Sequence, residues 1–481
     1  MNRWNFNNSY STLPASLFTA SEPSPVARPS LVTLNLALAE ELGVSTEYLQ
    51  SPEGLTHLSG NALPEGATPL AQAYAGHQFG HFTMLGDGRA ILLGEQITPN
   101  GNRYDIQLKG PGPTHYSRRG DGRAALAPML REYLISEAMA ALRIPTTRSL
   151  AVVATGETVM RERPLPGAIL TRVASSHIRV GTFEYASHFC PPDDLRALAD
   201  YTIARHYSEL TAEPDRYLLF LRKVIERQAA LVRDWMLVGF IHGVMNTDNT
   251  AISGETIDYG PCAFMDVYNP ATVFSSIDRG GRYSYENQPA IIQWNIARFA
   301  EALLPLLDAD ADKAVSLAQK EIESFPGLFR ELWTAGMLRK IGIEAQQSAD
   351  VALLQDLLVS MANNNLDFTF TFHSLSKAIV DGASLPVQLQ SWREGWLKRL
   401  AAEESSLQEI VAKLKETNPT IIPRNSLVEE ALTFAERDGD LSLYNELLEE
   451  LASPFDDRQV ESKLYPVPKA PAAPYKTFCG T

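Results

Sequence analysis

A short polar stretch in the middle of the chain carries residue types that suit metal-assisted phosphate chemistry. It reads His-Gly-Val-Met-Asn-Thr-Asp-Asn over 242–249, and Ile-Asp-Tyr-Gly follows over 257–260. Asn249 and Asp258 offer carbonyl and carboxylate oxygens, which magnesium takes as ligands alongside substrate phosphates. Asp248 adds a carboxylate that could accept a proton. The alternative interpretation is a polar turn whose Asp and Asn side chains cap the backbone.

The spacing within this stretch resembles that of the protein kinase catalytic loop, where an Asn follows a His by seven positions and Asp-Phe-Gly comes later. Counted from His242, the Asn falls on Asn249, and Asp258 begins Asp-Tyr-Gly. The kinase catalytic Asp would fall on Val244, which cannot accept a proton. The pattern therefore predicts a kinase-type nucleotide site whose base has moved to Asp248.

Glycines and a lysine upstream fit the same interpretation. Gly86 and Gly88 precede Arg89 and an apolar segment, and glycine allows the backbone to approach phosphates closely. The segment 104–109 alternates like a strand and ends in Lys109, which could neutralise phosphate charge. Each feature has an ordinary alternative: a hairpin turn for the glycines and a solvated strand end for the lysine.

A second Gly-Asp-Gly-Arg sequence, containing Asp121 and Gly122, opens a helix predicted over 123–143. Backbone N–H groups at a helix start attract phosphate. A kinase-type site also needs a helical glutamate to hold the strand lysine. Spacing alone leaves both Glu132 and Glu137 open for this position.

Two arginines lie at the end of the strands predicted over 147–173 or just after them. Arg172 and Arg179 are unusual additions to a kinase-type site. Both could bind phosphate, or both could form surface salt bridges, which is the commoner role of an arginine.

A histidine pair further upstream is a weaker metal candidate. His77 and His81 are four residues apart and could share a helix face as ligands. However, Gly76 and Gly80 argue against a stable helix, and no third ligand is evident.

Composition excludes several classes of function. The chain has 481 residues and a net charge of −15, so nonspecific binding to nucleic acids is not expected. No apolar run approaches the ~18 residues of a membrane span, and the amino terminus lacks a secretory signal pattern. Three cysteines do not make a disulfide scaffold. A cytoplasmic protein is expected.

Periodicity predicts a mixed architecture. An extended amino-terminal arm to about residue 30 precedes a helix over 31–50. Helices are predicted over 194–241, and a loop of about 30 residues follows Asp258, a length typical of functional loops. Beyond Asn295 the chain is predicted to be almost entirely helical to about residue 455.

Taken together, these motifs resemble the selenoprotein O family, also called the YdiU family, over nearly the whole chain. The resemblance rests on both Gly-Asp-Gly-Arg sequences, Leu-Lys-Gly at 108–110, Leu-Arg-Glu at 130–132, the stretch 242–249 with Ile-Asp-Tyr-Gly-Pro, Asn-Pro-Thr-Ile-Ile-Pro-Arg-Asn at 418–425, and the Cys-Gly-Thr end. Eukaryotic members carry selenocysteine at the position that is Cys479 here.

The resemblance implies an α+β, two-lobed protein-kinase-like fold with an N-terminal extension and additional C-terminal helices. The expected parts are an N-terminal extension over 1–68, a small lobe over 69–185, a large lobe with the catalytic and metal-binding loops over 186–300, a helical C-terminal part over 301–455 and a tail over 456–481.

The resemblance also implies an activity. The family binds ATP in a flipped orientation and transfers AMP to Ser, Thr or Tyr hydroxyls of proteins, itself included. UMP transfer from UTP is also attributed to bacterial members, with Mg²⁺ or Mn²⁺ as the metal. The implied roles are a base at Asp248, metal ligands at Asn249 and Asp258, a lysine-orienting Glu132, and nucleotide contacts from Gly86, Gly88, Arg89, Lys109, Asp121, Gly122, Arg172 and Arg179.

The sequence leaves three alternative functions open. The protein could be a metal-dependent kinase that uses Asp248, or an inactive nucleotide-binding scaffold. The scaffold is disfavoured because Lys109, Asn249 and Asp258 are all present. A redox role is the third, in which Cys479 pairs with Cys262, close to Asp258. A monomer is expected.

Overall fold

The computed structural model describes residues 3–78, 80–381, 385–465 and 475–477. Within these ranges the chain is an α+β protein, as the sequence predicts. None of the described helices combines the length and apolar character needed to cross a membrane.

Twelve strands occur in the described part of the chain, and all strand pairs are antiparallel. They are β1 (Phe18–Ala20), β2 (Ser30–Leu34), β3 (Leu70–Gln72), β4 (Ala75–Gln78), β5 (His81–Met84), β6 (Ala90–Ile97), β7 (Arg103–Lys109), β8 (Ala124–Ala125), β9 (Arg148–Met160), β10 (Pro164–Ala174), β11 (Phe240–Ile241) and β12 (Ala263–Phe264).

One large sheet has the order β1-β3-β6-β7-β10-β9-β2, with β8 paired to β10. Strand β7 lies inside it, between β6 and β10, and Lys109 is aligned with Ala90 on one side and Leu170 on the other. β4 and β5 form a separate two-stranded hairpin, which lies between β3 and β6 in the sequence. The last residue of β7 is therefore held by two neighbouring strands, which fixes where the Lys109 side chain begins.

The described residues also form fifteen α-helices. They are α1 (Leu36–Leu42), α2 (Thr46–Gln50), α3 (Pro52–Leu58), α4 (Leu126–Ala141), α5 (Val180–Phe189), α6 (Pro192–His206), α7 (Arg216–Leu237), α8 (Gln288–Leu307), α9 (Ala311–Lys340), α10 (Asp350–Asn363), α11 (Phe368–Ala378), α12 (Gln390–Leu400), α13 (Leu407–Thr417), α14 (Asn425–Asp438) and α15 (Ser442–Leu451).

Helix α4 joins the sheet to the helical part. It packs against β9 and β10 on one side and against α14 and α15 on the other. Leu130, Leu134 and Met139 are fully buried in the main apolar core. Burial of this helix on both sides fixes the position of its polar residues relative to the sheet, which matters for Glu132.

The amino-terminal prediction is partly wrong. Residues 31–50 were expected to form one helix, but Ser30–Leu34 forms β2 at the sheet edge and two short helices follow. Val32 and Thr33 are β-branched and suit a strand. Asn35 caps α1, since its side chain accepts a hydrogen bond from Leu38 N. Gly43 ends α1 in the left-handed region at φ +73°.

Candidate active site

A cavity of about 660 Å³ opens where the end of β7, the segment before β6 and the stretch 242–249 meet. Eleven residues singled out from the sequence line it together: Gly86, Gly88, Arg89, Lys109, Asp121, Gly122, Arg172, Arg179, Asp248, Asn249 and Asp258. Residues as far apart in the chain as Gly86 and Asp258 therefore converge on one space large enough for a nucleotide.

Lys109 and Glu132 form a buried ion pair behind this cavity. Lys109 Nζ lies 2.6 Å from Glu132 Oε2. Arg172 shares the same carboxylate, with its Nη2 2.5 Å from Glu132 Oε1. Burial alone raises the pKa of Glu132, but Arg172 and Lys109 outweigh it and hold the pKa below its usual range. Glu132 thus stays ionised and aligns two cations.

The choice between the two helical glutamates is resolved by geometry. Glu137 accepts from Arg148 Nη2 at 2.6 Å and from Asn35 Nδ2 at 2.7 Å, so it ties α4 to the sheet edge. Glu132, five positions earlier in the chain, contacts Lys109. Spacing could not separate them because α4 is buried on two sides.

Asp258 is the second carboxylate beside Lys109. Lys109 Nζ donates to Asp258 Oδ1, and Arg172 Nη2 lies 3.2 Å from the same oxygen. Although burial raises the pKa of Asp258, Lys109, Arg172 and Arg89 hold it well below the usual range. Its backbone adopts φ +67°, which is uncommon for a residue other than glycine. An ionised carboxylate is therefore fixed in the cavity wall.

The donor set fits a magnesium-type cation. Asn249 Nδ2 donates to Val244 O at 3.1 Å, which leaves the amide oxygen of Asn249 as the end available to a cation. Asp258 supplies the carboxylate. In the described residues no cluster of three or more His, Cys, Asp or Glu side chains could hold a metal by itself. Magnesium needs no such cluster, since it is commonly bound through one or two protein groups and substrate phosphates.

Arg179 also lines the cavity. It precedes α5, and its Nη1 donates to the backbone carbonyl of Asp248 at 2.9 Å. Its guanidinium lies over the Tyr74 ring at 4.6 Å and 3.8 Å from Asp87 Oδ1. Both Arg172 and Arg179 are buried, so neither is a surface salt-bridge residue.

Asp248 carries an unsatisfied buried oxygen. Its Oδ1 has no hydrogen-bond partner in the described residues, and burial raises the pKa of Asp248 to about 7. Strand β4 covers it so closely that a methyl group at Gly76 would lie 2.2 Å from Oδ1. A buried carboxylate whose pKa is near neutrality is suited to take a proton.

The second Gly-Asp-Gly-Arg sequence lies at the other end of the cavity. Arg161 Nη1 and Nη2 lie 2.9 and 3.1 Å from the Asp121 oxygens, and this bidentate contact lowers the pKa of Asp121. No helix begins here, because the residues after Arg123 form β8 and α4 begins at Leu126. The predicted phosphate attraction by a helix start is therefore wrong for this loop.

Sequence reasoning missed several cavity residues. Tyr74, Asp87, Tyr116, Met160 and Arg161 also line the space. Asp87 lies within the first Gly-Asp-Gly-Arg sequence, and its repetition at 121 was a signal that could have found it. The others have no motif, since they come from segments brought in by the tertiary fold.

The histidine pair is not a shared helical face. His77 and His81 lie on opposite strands of the β4–β5 hairpin. His77 Nδ1 lies 2.6 Å from Glu184 Oε1 on α5 instead. The glycine argument against a helix is confirmed.

The predicted redox role concerns two cysteines, Cys262 and Cys479. Cys262 is buried, and burial raises its pKa to about 12, so its thiol is neutral in this state. Cys479 lies outside the described residues.

Comparison with known proteins agrees with the motifs. Residues 1–452 match the family described as protein adenylyltransferase SelO. A relative named protein nucleotidyltransferase YdiU from Brevibacillus brevis is 56% identical over 99% of this chain and 98% of its own. Proteins of the same name from Anoxybacillus flavithermus and Halalkalibacterium halodurans are 56% and 57% identical, over 99% of this chain and 99% and 98% of theirs. This chain belongs to the SelO protein adenylyltransferase family.

Proposed function

We propose that this protein transfers AMP from ATP to serine, threonine or tyrosine hydroxyls of proteins, itself included, and releases pyrophosphate. The observation that carries the proposal is the position of Arg179. This buried arginine contacts the backbone of Asp248, so an additional cation and the candidate base share one wall of the cavity. A pyrophosphate leaving group needs such extra positive charge, because the electron pair of the broken bond adds to the charge that its two phosphates already carry.

The proposed fold is a kinase-like arrangement of two lobes. The small lobe, 69–185, contributes β7 and α4 with the Lys109–Glu132 pair. The large lobe, 186–300, contributes the stretch 242–249 and Asp258. Support comes from the antiparallel sheet followed by helices α5 to α9 and from the cavity between these parts. The extension over 1–68, the helical part over 301–455 and the tail over 456–481 complete the proposed division.

In the proposed site Lys109, Arg172 and Arg179 bind the phosphates, and Gly86, Gly88, Arg89, Asp121 and Gly122 surround the rest of the nucleotide. Glu132 keeps Lys109 and Arg172 in place. Asn249 and Asp258 would hold Mg²⁺ or Mn²⁺, which neutralises phosphate charge when bound. Gly86 also has a packing role, because a methyl group there would lie 2.4 Å from the Tyr116 ring.

The proposed reaction is an in-line displacement. The acceptor hydroxyl oxygen forms a bond to the α-phosphorus as the bond from that phosphorus to the bridging oxygen breaks. Asp248 receives the hydroxyl proton, and the leaving pyrophosphate carries away the electron pair of the broken bond. Lys109, Arg172 and Arg179 stabilise the charge that moves onto it. Positioning and charge neutralisation supply most of the rate in reactions of this type.

The test is self-labelling of the purified protein with ATP that carries label at either the α- or the γ-phosphate, with Mg²⁺ or Mn²⁺ added. Label retained from the α-position alone is expected. Label retained from the γ-position would show that the protein is a kinase. If the protein binds the nucleotide but retains neither label, it is a nucleotide-binding scaffold. Repeating the pair of labels with UTP decides whether UMP is also transferred.

Replacing Gly76 with alanine is expected to lower AMP transfer about 100-fold and to destabilise the protein by about 1–3 kcal/mol. The added methyl group would lie 2.2 Å from Asp248 Oδ1, well inside van der Waals contact, and push the carboxylate aside. Misplacing a reacting group by about 1 Å costs on the order of a hundredfold. Initial rates and melting temperature measure the two effects.

The matched control is Gly280→Ala, because nothing lies within 4 Å of a methyl group built at Gly280. This control should keep its full rate. A Gly76→Ala protein with an unchanged rate would show that the hairpin does not confine Asp248.

A second proposal concerns redox control through Cys262 and Cys479. Thr477, two residues before Cys479, donates from its hydroxyl to Pro261 O at 2.7 Å, and its backbone N–H donates to Phe274 O at 2.8 Å. The tail therefore passes beside the residue that precedes Cys262. Mass spectrometry of oxidised, unreduced protein should find a 262–479 linkage, and its absence would end this pairing.

A further inference from the structure

The β4–β5 hairpin has two faces with different surroundings. Gly76 on β4 lies against the carboxylate of Asp248, and His77 N donates to Thr247 Oγ1 at 2.9 Å. Phe82 on β5 is paired with His77. The side chains of this pair lie on the face of the hairpin opposite to Gly76. Strand β4 thus contacts the candidate base, Asp248. Strand β5, the outer strand, lies one strand spacing, ~5 Å, farther from Asp248.

The outer strand carries apolar side chains that water reaches. Phe82 and Met84 are 39% and 54% exposed, and Phe189 at the end of α5 is 50% exposed. The Phe82 ring stacks on Phe189 at 6.1 Å with an interplanar angle of 9°. Phe82 and Met84 share one strand face because they are two residues apart. Grouped exposed apolar residues of this kind are typical of interaction sites.

Two arginines border the same hairpin. Arg282, from the loop after Asp258, and Arg298, on α8, lie over Trp294 at 5.1 and 5.0 Å. The Trp294 ring also meets His77 edge-on at 5.1 Å. In the described part of the chain, Nε of each arginine is buried and has no hydrogen-bond partner. Arg298 forms an ion pair with Glu301 at 2.6 Å, and Arg282 forms no ion pair with another described residue.

We propose that Phe82, Met84 and Phe189, together with Arg282 and Arg298, form an acceptor-docking surface for an extended protein segment. This segment would carry an apolar or aromatic residue and an acidic residue near its acceptor hydroxyl. The proposal rests on the proposed AMP transfer, because it concerns how the acceptor reaches Asp248.

Three observations favour this occupant. The surface continues from the strand that covers Asp248, so a segment bound there lies within a few residues of the base, at ~3.3 Å per residue. Arg282 has no ion pair among the described residues, so its positive charge favours an acidic partner. Among the described residues β5 pairs with no strand but β4, and Arg118 donates to Met84 O. The rest of its outer edge can add main-chain hydrogen bonds to an extended segment.

The experiment uses the full-length protein, α-labelled ATP and short synthetic peptides with a central Ser, Thr or Tyr. Flanking positions carry Glu or Lys, and Phe or Ala. Wild-type protein is expected to favour peptides with Glu and Phe by about tenfold in kcat/KM. In the Phe82→Ser/Phe189→Ser protein, KM for these peptides should rise about tenfold, with kcat and nucleotide affinity nearly unchanged. Arg282→Gln should remove the preference for Glu over Lys.

Two matched controls keep the result specific. Val387→Ser changes a residue that is 78% exposed elsewhere, and Arg279→Gln changes another arginine of the same loop. Both should leave peptide KM unchanged. Because the altered side chains are exposed or in a loop, melting temperatures should stay close to wild type.

The outcomes separate the two proposals. Self-labelling from the α-phosphate without any peptide labelling, or peptide labelling without flank preference, overturns the docking surface and leaves the AMP transfer standing. An unchanged peptide KM in the Phe82→Ser/Phe189→Ser protein also overturns it. If wild-type protein retains no label from the α-phosphate on itself or on any peptide, the proposed function is wrong, and the docking surface with it.

Discussion

Replacing Asp248 with asparagine is expected to lower AMP transfer about a thousandfold while making the protein more stable. The loss follows because an amide cannot accept the hydroxyl proton, and general bases contribute about 10²–10⁴-fold. The gain follows because Asp248 is buried with one oxygen unpartnered. Asparagine has nearly the same shape and carries no charge that burial would penalise.

The size of the stability gain depends on pH in a defined direction. Burial raises the pKa of Asp248 from 3.8 to about 7. Below about pH 4 the carboxyl is neutral in both the folded and unfolded states, so it imposes no penalty. Between pH 4 and 7 only the unfolded chain loses the proton, and the penalty grows to about 4 kcal/mol as an upper bound. The advantage of Asp248→Asn should therefore be less than half as large at pH 5 as at pH 8.

The rate should depend on pH through the same group. Because the base must be ionised, log kcat/KM of the wild-type protein should rise with pH and level off above about pH 7. The residual rate of Asp248→Asn should lack this rise. Thermal melts and initial rates across pH 5–8 measure both properties. A variant that is less stable than wild type at pH 8 would contradict the burial argument, and one with full activity would remove the base assignment.

Glu184→Gln is the matched control for this prediction. Burial also raises the pKa of Glu184 to about 7, but the side chain contacts His77 and does not line the cavity. The control should gain stability at pH 8 in the same way and keep its transfer activity within about tenfold. A thousandfold loss of activity confined to Asp248→Asn separates the role of the base from the cost of burial.

The residues that line the cavity could be grouped from the sequence more readily than those around it, for a physical reason. Asn249 and Asp258 were found because they stand at fixed distances from His242, and a turn of fixed geometry needs fixed spacing. The β4–β5 hairpin that covers Asp248 could not be predicted in this way. His77 and Thr247, which hold the hairpin to the loop, are 170 positions apart, and no local pattern encodes that contact.

Motifs without an assigned role were also informative once the fold was known. The sequence around Pro423 contributed to the family resemblance but had no chemical interpretation. In the structure Arg424 lies 2.7 Å from Asp367 and 2.8 Å from Asp266, and Asn425 Nδ2 donates to Phe264 O at 2.8 Å. These buried contacts anchor the segment that follows Asp258. Their role is tertiary, so spacing and periodicity could not reveal it.

The amino-terminal error has a different cause. Leucines at 34, 38 and 42 have helical spacing, and the prediction extended this period back to residue 31. The sheet edge formed by β9 overrides it, since Leu31 and Leu34 pair with Val153 and Ala151. Local periodicity cannot show that a neighbouring strand is available.

Replacing Lys109 with methionine is expected to abolish nucleotide-dependent transfer, by a thousandfold or more, and to destabilise the protein by about 3 kcal/mol. The variant removes a phosphate contact and leaves the carboxylates of Glu132 and Asp258 with Arg172 as their remaining close cation. Removing one partner of a buried ion pair is costly because the other charge stays buried. Chemical denaturation and nucleotide titration measure the two effects.

A double-mutant cycle with Asp258→Asn tests the cause. In Lys109→Met/Asp258→Asn the surplus negative charge is gone, so the double variant should be more stable than Lys109→Met alone while remaining inactive. Lys415→Met is the matched control, because Lys415 lies 2.5 Å from Asp457 on the surface, where both side chains are more than 40% exposed. Exposed pairs contribute about 0–1 kcal/mol. Equal losses of stability in Lys109→Met and Lys415→Met would show that the buried charge network does not hold this part of the site together.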